Sequence, residues 1–196
     1  MWNHNNHFHS YLLSQLPRKV NRALDIGCGL GFFAKKLAKH SKFVDALDAD
    51  KLILEEASNC NGAPNICYVQ ADFLEADLPE ESYEVIVSIA SLHHMDLEMA
   101  LAKMKVLLRP SGKLLILGLY RETTILDYLY SFVSVPLNLI YLKWHRVSTK
   151  PAMKTAPILP AHLSIGQIKA VANTLIPGFR LRRHLFWRYS LFWQKL

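Results

Sequence analysis

Apolar positions along this chain come in short β-branched runs, and the stretches between them carry helical spacing. Arg22 to Ile26, Lys42 to Asp48, Ile66 to Gln70 and Lys113 to Leu119 read as strands. Tyr83 to Ile89 (YEVIVSI) is mostly apolar without strict alternation, as expected of a strand covered on both faces. Helices are predicted from Gly31 to about His40, from Ala49 to Asn59 with a cap at Asp48 or Asp50, and from Leu97 to Leu108. In the first of these Phe33 and Leu37 share one face, while Lys35, Lys36 and Lys39 face water. A short helix near Phe8 to Leu16 ends at Pro17, and Arg109-Pro110-Ser111-Gly112 is a turn.

Beyond Leu119 the pattern changes. Thr123 to Trp144 is irregular, apolar and helix-prone, with a kink expected near Pro136. A loop marked by Pro151, Pro157 and Pro160 follows, then a helix from Ser164 to Leu175 capped by Ser164. Two strand-like runs close the chain, Phe179 to Phe186 and Tyr189 to Lys195; they are joined too tightly for a crossover helix and should pair antiparallel. Strands alternating with helices predict an α/β fold: a doubly wound, mostly parallel seven-stranded sheet with a C-terminal antiparallel hairpin. Residues 1–196 form one domain in this reading, with 1–20 as an N-terminal cover and 120–162 as a lid-like insertion after the fifth strand.

Composition narrows the setting. A net charge of +7 and a pI of about 9.3 suit either a basic surface or an anionic partner. Cys28, Cys60 and Cys67 are odd in number and form no C-x-x-C pair, so neither a disulfide framework nor a structural zinc site follows, and a reducing cytoplasm is the expected location. The polar start, through His4, His7 and His9, is no secretory signal, and its histidine spacing is no standard zinc pattern. Ile125 to Leu142 nearly reaches membrane-spanning length but carries Asp127, Pro136 and Asn138; a lid or cover helix is expected, with contact at a membrane surface open because Lys143, His145 and Arg146 follow.

The chemistry gathers after the strands, where ligands bind in such folds. The first strand runs into Asp25-Ile26-Gly27-Cys28-Gly29-Leu30-Gly31, a strand, a glycine bend and a helix start whose amides suit an anion. The second ends at Asp48, at the spacing of an acid that accepts from both hydroxyls of a ribose. Asp72-Phe73 after the third suits an exocyclic amine and the face of a base, although aspartate is also a common turn residue. Ser88 to Met95 follows the fourth, with His93 and His94 as candidate general bases or, equally, pocket-lining and packing residues. Dinucleotide enzymes want G-x-G-x-x-G, and the third glycine place here is Phe32.

Taken together, these segments resemble the class I methyltransferases that use S-adenosylmethionine, in particular the broad type 11 group of small bacterial enzymes. The resemblance covers Arg22 to Leu119 and includes Leu108-Arg109-Pro110-Ser111-Gly112-Lys113; residues 120–162 carry no assignable motif. It implies an S-adenosylmethionine site built from Asp25, Gly27, Cys28, Gly29, Gly31, Asp48, Ala49, Asp72, Phe73 and Ser88, with His93 or His94 assisting transfer to a small-molecule acceptor; the alternatives are a nucleoside-binding adaptor without turnover and a peripheral membrane protein on anionic lipid. If the insertion is a lid, Tyr128, Tyr130, Phe132 and Tyr141 would line an aromatic cavity for a partly apolar acceptor. Family members that methylate base amines carry Asn/Asp-Pro-Pro-aromatic after the fourth strand. This chain reads Ser88-Ile89-Ala90-Ser91, which argues against nucleic acid; the basic run Arg180 to His184 is expected to be a solvated sheet edge.

Overall fold

The computed structural model describes residues 4–144 and 160–196, with side chains for 5–139 and 160–196. Seven strands form one sheet in the order β3-β2-β1-β4-β5-β7-β6. They are β1 (Val20–Ile26), β2 (Ser41–Asp48), β3 (Ile66–Gln70), β4 (Tyr83–Ile89), β5 (Leu108–Leu119), β6 (Arg180–His184) and β7 (Arg188–Gln194). The first five are parallel, and β7 runs antiparallel to both β5 and β6. Strand order reverses between β1 and β4, which opens a crevice at their carboxyl ends.

The period-two alternation of the strands assigns their side chains to two cores. Leu24, Ile26, Ile86, Leu114 and Ile116 pack on one face beneath α5 (Leu97–Leu107) and α7 (Ile165–Leu175). Ala23, Val85, Val87, Leu115 and Leu117 pack on the other beneath α2 (His9–Leu13) and α3 (Phe32–Leu37). A single helical turn, α1 (His4–His7), precedes α2, and α4 (Lys51–Asn61) connects β2 to β3. Asp50 caps α4 by accepting from the amides of Leu52 and Ile53, and Ser164 and Gln167 form a reciprocal capping box on α7.

Three expectations need correction. The strand β5 begins at Leu108, because Leu108 already pairs with Tyr83; the predicted turn survives only as an irregularity in register, with Ser111 at φ 63°. The segment after β5 is a continuous helix, α6 (Ile125–Trp144), which runs through Pro136. Tyr128 and Phe132 on it are exposed and Tyr130 is half-buried, so no aromatic cavity forms from them; Tyr141, like Pro151 and Pro157, lies outside the described side chains. The basic strand β6 is only partly a solvated edge: Arg183 turns inward to the buried carboxylate of Asp127, Nε to Oδ1 at 2.9 Å.

The N-terminal helices lie against the sheet's α3 face. His9 meets Phe33 edge-on, Phe8 and Tyr11 both meet His184, and Arg188 donates from Nε to Asn5 Oδ1 at 3.1 Å. These contacts join α3 to the terminal hairpin.

Candidate active site at the carboxyl edge of the sheet

The bend after β1 has left-handed backbone at Gly27 (φ 67°), Gly29 (φ 52°) and Gly31 (φ 73°), and each glycine is required for a different reason. A Cβ on Gly27 would collide with the side chain of Ser91, and one on Gly31 with the hydroxyl of Tyr68. A Cβ on Gly29 would meet nothing within 4 Å; it would project into open space. Two glycines therefore permit packing beneath the bend, and the third leaves room above it.

The bend is anchored to the end of β2. The amides of Gly27 and Cys28 both donate to Leu47 O, at 2.8 and 3.0 Å. The Gly29 amide donates to Asp48 Oδ2 at 2.8 Å, and the Asp50 amide to Asp48 Oδ1 at 3.0 Å. An ionised carboxylate has about four acceptor positions, so two remain for a ligand diol. Ala49 is exposed beside it.

Asp25 is buried on the last turn of β1, and its Oδ2 has no hydrogen-bond partner. Burial, and then the nearby Asp48 carboxylate, push its carboxyl up to about 7 against a donated bond from the Ala34 amide. The two acids together form a negative field under the bend, which suits a cationic ligand group. Cys28 is half-buried, and its thiol is pushed far above the usual range by burial and then by Asp25 and Asp48, so it is no nucleophile.

Strand four supplies a support that sequence reasoning overlooked. Ser91 donates to Ile26 O at 2.9 Å and shares a 2.6 Å hydrogen bond with Ser88. Ser88 is fully buried, so its hydroxyl sits beneath the bend rather than facing a ligand. From the far side Asn61 donates to Leu30 O at 2.8 Å, and Tyr68 donates to Asn61 O at 3.2 Å. No local sequence signal marks Asn61, Tyr68 or Ser91, because each acts on a bend 30 or more residues away in the chain.

Asp72 is exposed, and its Oδ1 accepts from the Leu74 amide at 2.8 Å. The ring of Phe73 turns into the core under the ammonium of Lys103, at 5.4 Å, so it covers no exposed surface. Lys103 also donates to Leu74 O and Ala76 O, which holds this loop in place.

His93 and His94 follow β4 in a short 3₁₀ turn, with rings 4.0 Å apart. His94 is exposed, whereas His93 lines a small cavity with Leu97, Leu119, His162 and Tyr189, its Nδ1 buried without a partner. Burial, and then His94, Arg188 and His162, lower its pKa to about 4. It is neutral at physiological pH, so one ring nitrogen can accept a hydrogen bond. Among the described residues no group of three or more His, Cys, Asp or Glu could hold a metal ion.

This geometry has relatives. The family described as "Methyltransferase domain" matches residues 24–116. An uncharacterized methyltransferase of Mycobacterium tuberculosis is 30% identical over 98% of this chain and 96% of its own length. The chain belongs to this methyltransferase family. A ubiquinone biosynthesis O-methyltransferase of Coxiella burnetii is 28% identical over 63% of the methyltransferase described here and 53% of that relative. The solved S-adenosylmethionine-dependent methyltransferase of Mesorhizobium loti has the same fold, with a TM-score of 0.67 over 95% of this chain and 96% of that one at 17% identity.

A methyltransferase needs a methyl donor, and the residues present fit S-adenosylmethionine. The open side of Gly29 leaves space above the bend, the orphaned Asp25 oxygen suits a cation, and Asp48 retains acceptor capacity.

Proposed function

We propose that this methyltransferase moves a methyl group from S-adenosylmethionine to a small molecule held beside His93. The observation that carries this reading is the bend over which a donor has room: open space above Gly29, with Asp48 bound to its amide and Asp25 beneath. The glycine bend would receive the amino-acid end of the donor. Asp25 would favour its ammonium, and Asp48 would accept from the ribose hydroxyls. Gly27, Cys28, Gly31 and Ala49 would complete the cradle through main chain, as would Asp72 and Phe73 on the adenine side. Ser88 acts at one remove, by positioning Ser91.

When bound, the donor supplies a methyl group on a positively charged sulfur, and the C–S bond breaks as the acceptor's lone pair forms the new bond. The protein's part is to align the two along one line and to exclude water. An acceptor that loses a proton on methylation can pass it to neutral His93, with His94 as the more exposed alternative.

Calorimetry with S-adenosylmethionine and its demethylated product tests the donor half, on the native chain and on Asp48→Ala. The reading expects binding to the first and a loss of at least about tenfold in the second, the size of one charged hydrogen bond. Absence of binding to the native chain overturns it. A screen with tritiated methyl donor against phenol, amine and lipid pools then names the acceptor.

A further inference from the structure

The helix α6 is built inside out. Its inward stripe is Asp127, Tyr130, Ser131, Ser134, Leu137 and Asn138, at spacings of three and four residues, and most of it is polar. Asp127 and Ser134 are 0% exposed. The outward face carries Ile125 at 83% exposure, Phe132 at 80% and Leu139 at 63%, with Leu129, Val133 and Val135 between them. No charged residue interrupts this face from Ile125 to Leu139, since Asp127 points in. A water-facing helix carries the reverse arrangement, and an apolar surface this continuous marks an interaction site.

The inward polar contacts hold the helix in place. Asp127 accepts from Arg183 Nε at 2.9 Å, from Thr124 Oγ1 at 2.7 Å and from the amides of Thr123 and Thr124. The Phe186 amide donates to Ser134 Oγ at 2.9 Å. Ser131 and the Trp187 ring nitrogen both donate to Glu122. Arg183, Phe186 and Trp187 belong to β6 and its turn into β7, whose first residue pairs with the last of β5. The apolar face is therefore fixed at the carboxyl edge of the sheet and cannot fold inward without breaking a buried ion pair.

Charge indicates what covers it. All sixteen acidic residues of the chain precede Tyr128; the 69 residues from Tyr128 onward hold ten Lys and Arg and no Asp or Glu. Arg121 before the helix and Arg180 and Arg182 on β6, the strand to which Asp127 ties it, are exposed. No described helix is long and apolar enough to cross a membrane. An apolar helix face on a basic flank matches an anionic bilayer surface, where the face enters the acyl boundary and the cations meet headgroups. A second copy of the chain would bring two such cationic regions together.

We propose that α6 docks this methyltransferase in the plane of an anionic membrane. The site is independent of the donor reading and fails or stands on its own measurement. In flotation of the full chain with vesicles, phosphatidylcholine mixed with phosphatidylglycerol should carry the protein, and phosphatidylcholine alone should carry much less. High salt should weaken binding without abolishing it. Ile125→Ser/Phe132→Ser/Leu139→Ser should lower vesicle affinity by at least about tenfold, given the apolar area removed. Circular dichroism and affinity for the demethylated donor should be unchanged in that variant, which separates lost docking from lost folding. Flotation of neither protein, or of both equally, overturns the proposal. So does a dimer in light scattering that the triple substitution makes monomeric without any vesicle binding, because the face is then a contact between copies.

Discussion

Asp48 Oδ2 accepts from the Gly29 amide at 2.8 Å, so the acid expected to grip a ligand already braces the bend on which that ligand would lie. On the proposed reading, one carboxylate would couple donor binding to the shape of the loop. Asp48→Asn retains an acceptor oxygen but loses the charge. It should lower affinity for the demethylated donor by about tenfold or more and lower stability by about 1–2 kcal/mol, near the value of a hydrogen bond to a charged group. Calorimetry and denaturant unfolding read the two effects separately.

Gly27→Ala and Gly29→Ala should part company. Both place a methyl group on left-handed backbone, at a cost of about 1–2 kcal/mol. At Gly27 the new carbon also meets Ser91, which adds about 1–3 kcal/mol of overpacking. At Gly29 it enters open space, so the fold should tolerate it while donor affinity falls. If Gly29→Ala binds the demethylated donor as the native chain does, the space above the bend is not the donor's.

On the proposed reading, Asp25 would give donor binding a pH dependence. Its carboxyl is pushed up to about 7 in the folded chain from an ordinary value of 3.8, through burial first and Asp48 second. The native state therefore keeps a proton that the unfolded chain has released, and stability falls as pH rises from about 4 to about 7. A ligand ammonium favours the carboxylate. Binding should release a proton near neutrality, and affinity should rise with pH through 7. Calorimetry in buffers of different ionisation enthalpy counts that proton, and Asp25→Asn should abolish both effects.

His9, His93 and His184 act in the opposite direction. Burial comes first in each case, followed by Lys36, His94 and Arg182 respectively, and each pKa falls to about 4. The unfolded chain takes up protons near 6.5 and the native chain does not, so stability is lost as pH falls from 6.5 toward 4. Ring-carbon NMR should find His93 neutral at pH 5. His93→Gln should flatten the acid slope of the melting temperature, and as a lost general base it should lower turnover by about 10²-fold or more. A normal His93 titration near 6.5 would sink this assignment.

The pair of Asp127 and Arg183 anchors α6. Burial raises the carboxyl of Asp127, and hydrogen bonds from Thr124 and the Thr123 and Thr124 amides, with Arg183, outweigh it and leave its pKa lowered. Asp127→Ala strands a half-buried guanidinium and should cost about 3 kcal/mol, the low end for breaking a buried pair. Limited proteolysis should then cut within 120–144 before it cuts elsewhere.

Much of this was legible in the chain. Ile66–Gln70 and Tyr83–Ile89 lie where their β-branched runs put them, and the glycine bend follows β1 as its spacing required. The hairpin was legible because too few residues separate its strands for a crossover. Partners distant in sequence were not: Ser91 under Gly27, Tyr68 under Gly31 and Asn61 on Leu30 leave no local period to read. The orientation of α6 was hidden for a related reason. A polar stripe on an otherwise apolar helix reads as its water-facing side, and the distant pairing of Asp127 with Arg183 and of Ser134 with the Phe186 amide turns it inward. Phe73 misled because aromatic character suits a ligand face and a core equally well.

The link from Ser91 to Ile26 and Gly27 ties the exit of β4 to the exit of β1. A hydroxyl and a missing side chain thus rivet together the two lips of the crevice, with His93 two residues beyond the rivet. On the proposed reading, the scaffold would then fix the distance from a bound donor to the imidazole. New acceptor preferences in this lineage should arise from changes around Leu119 and His162, which line the cavity beside His93 and lie outside that rivet.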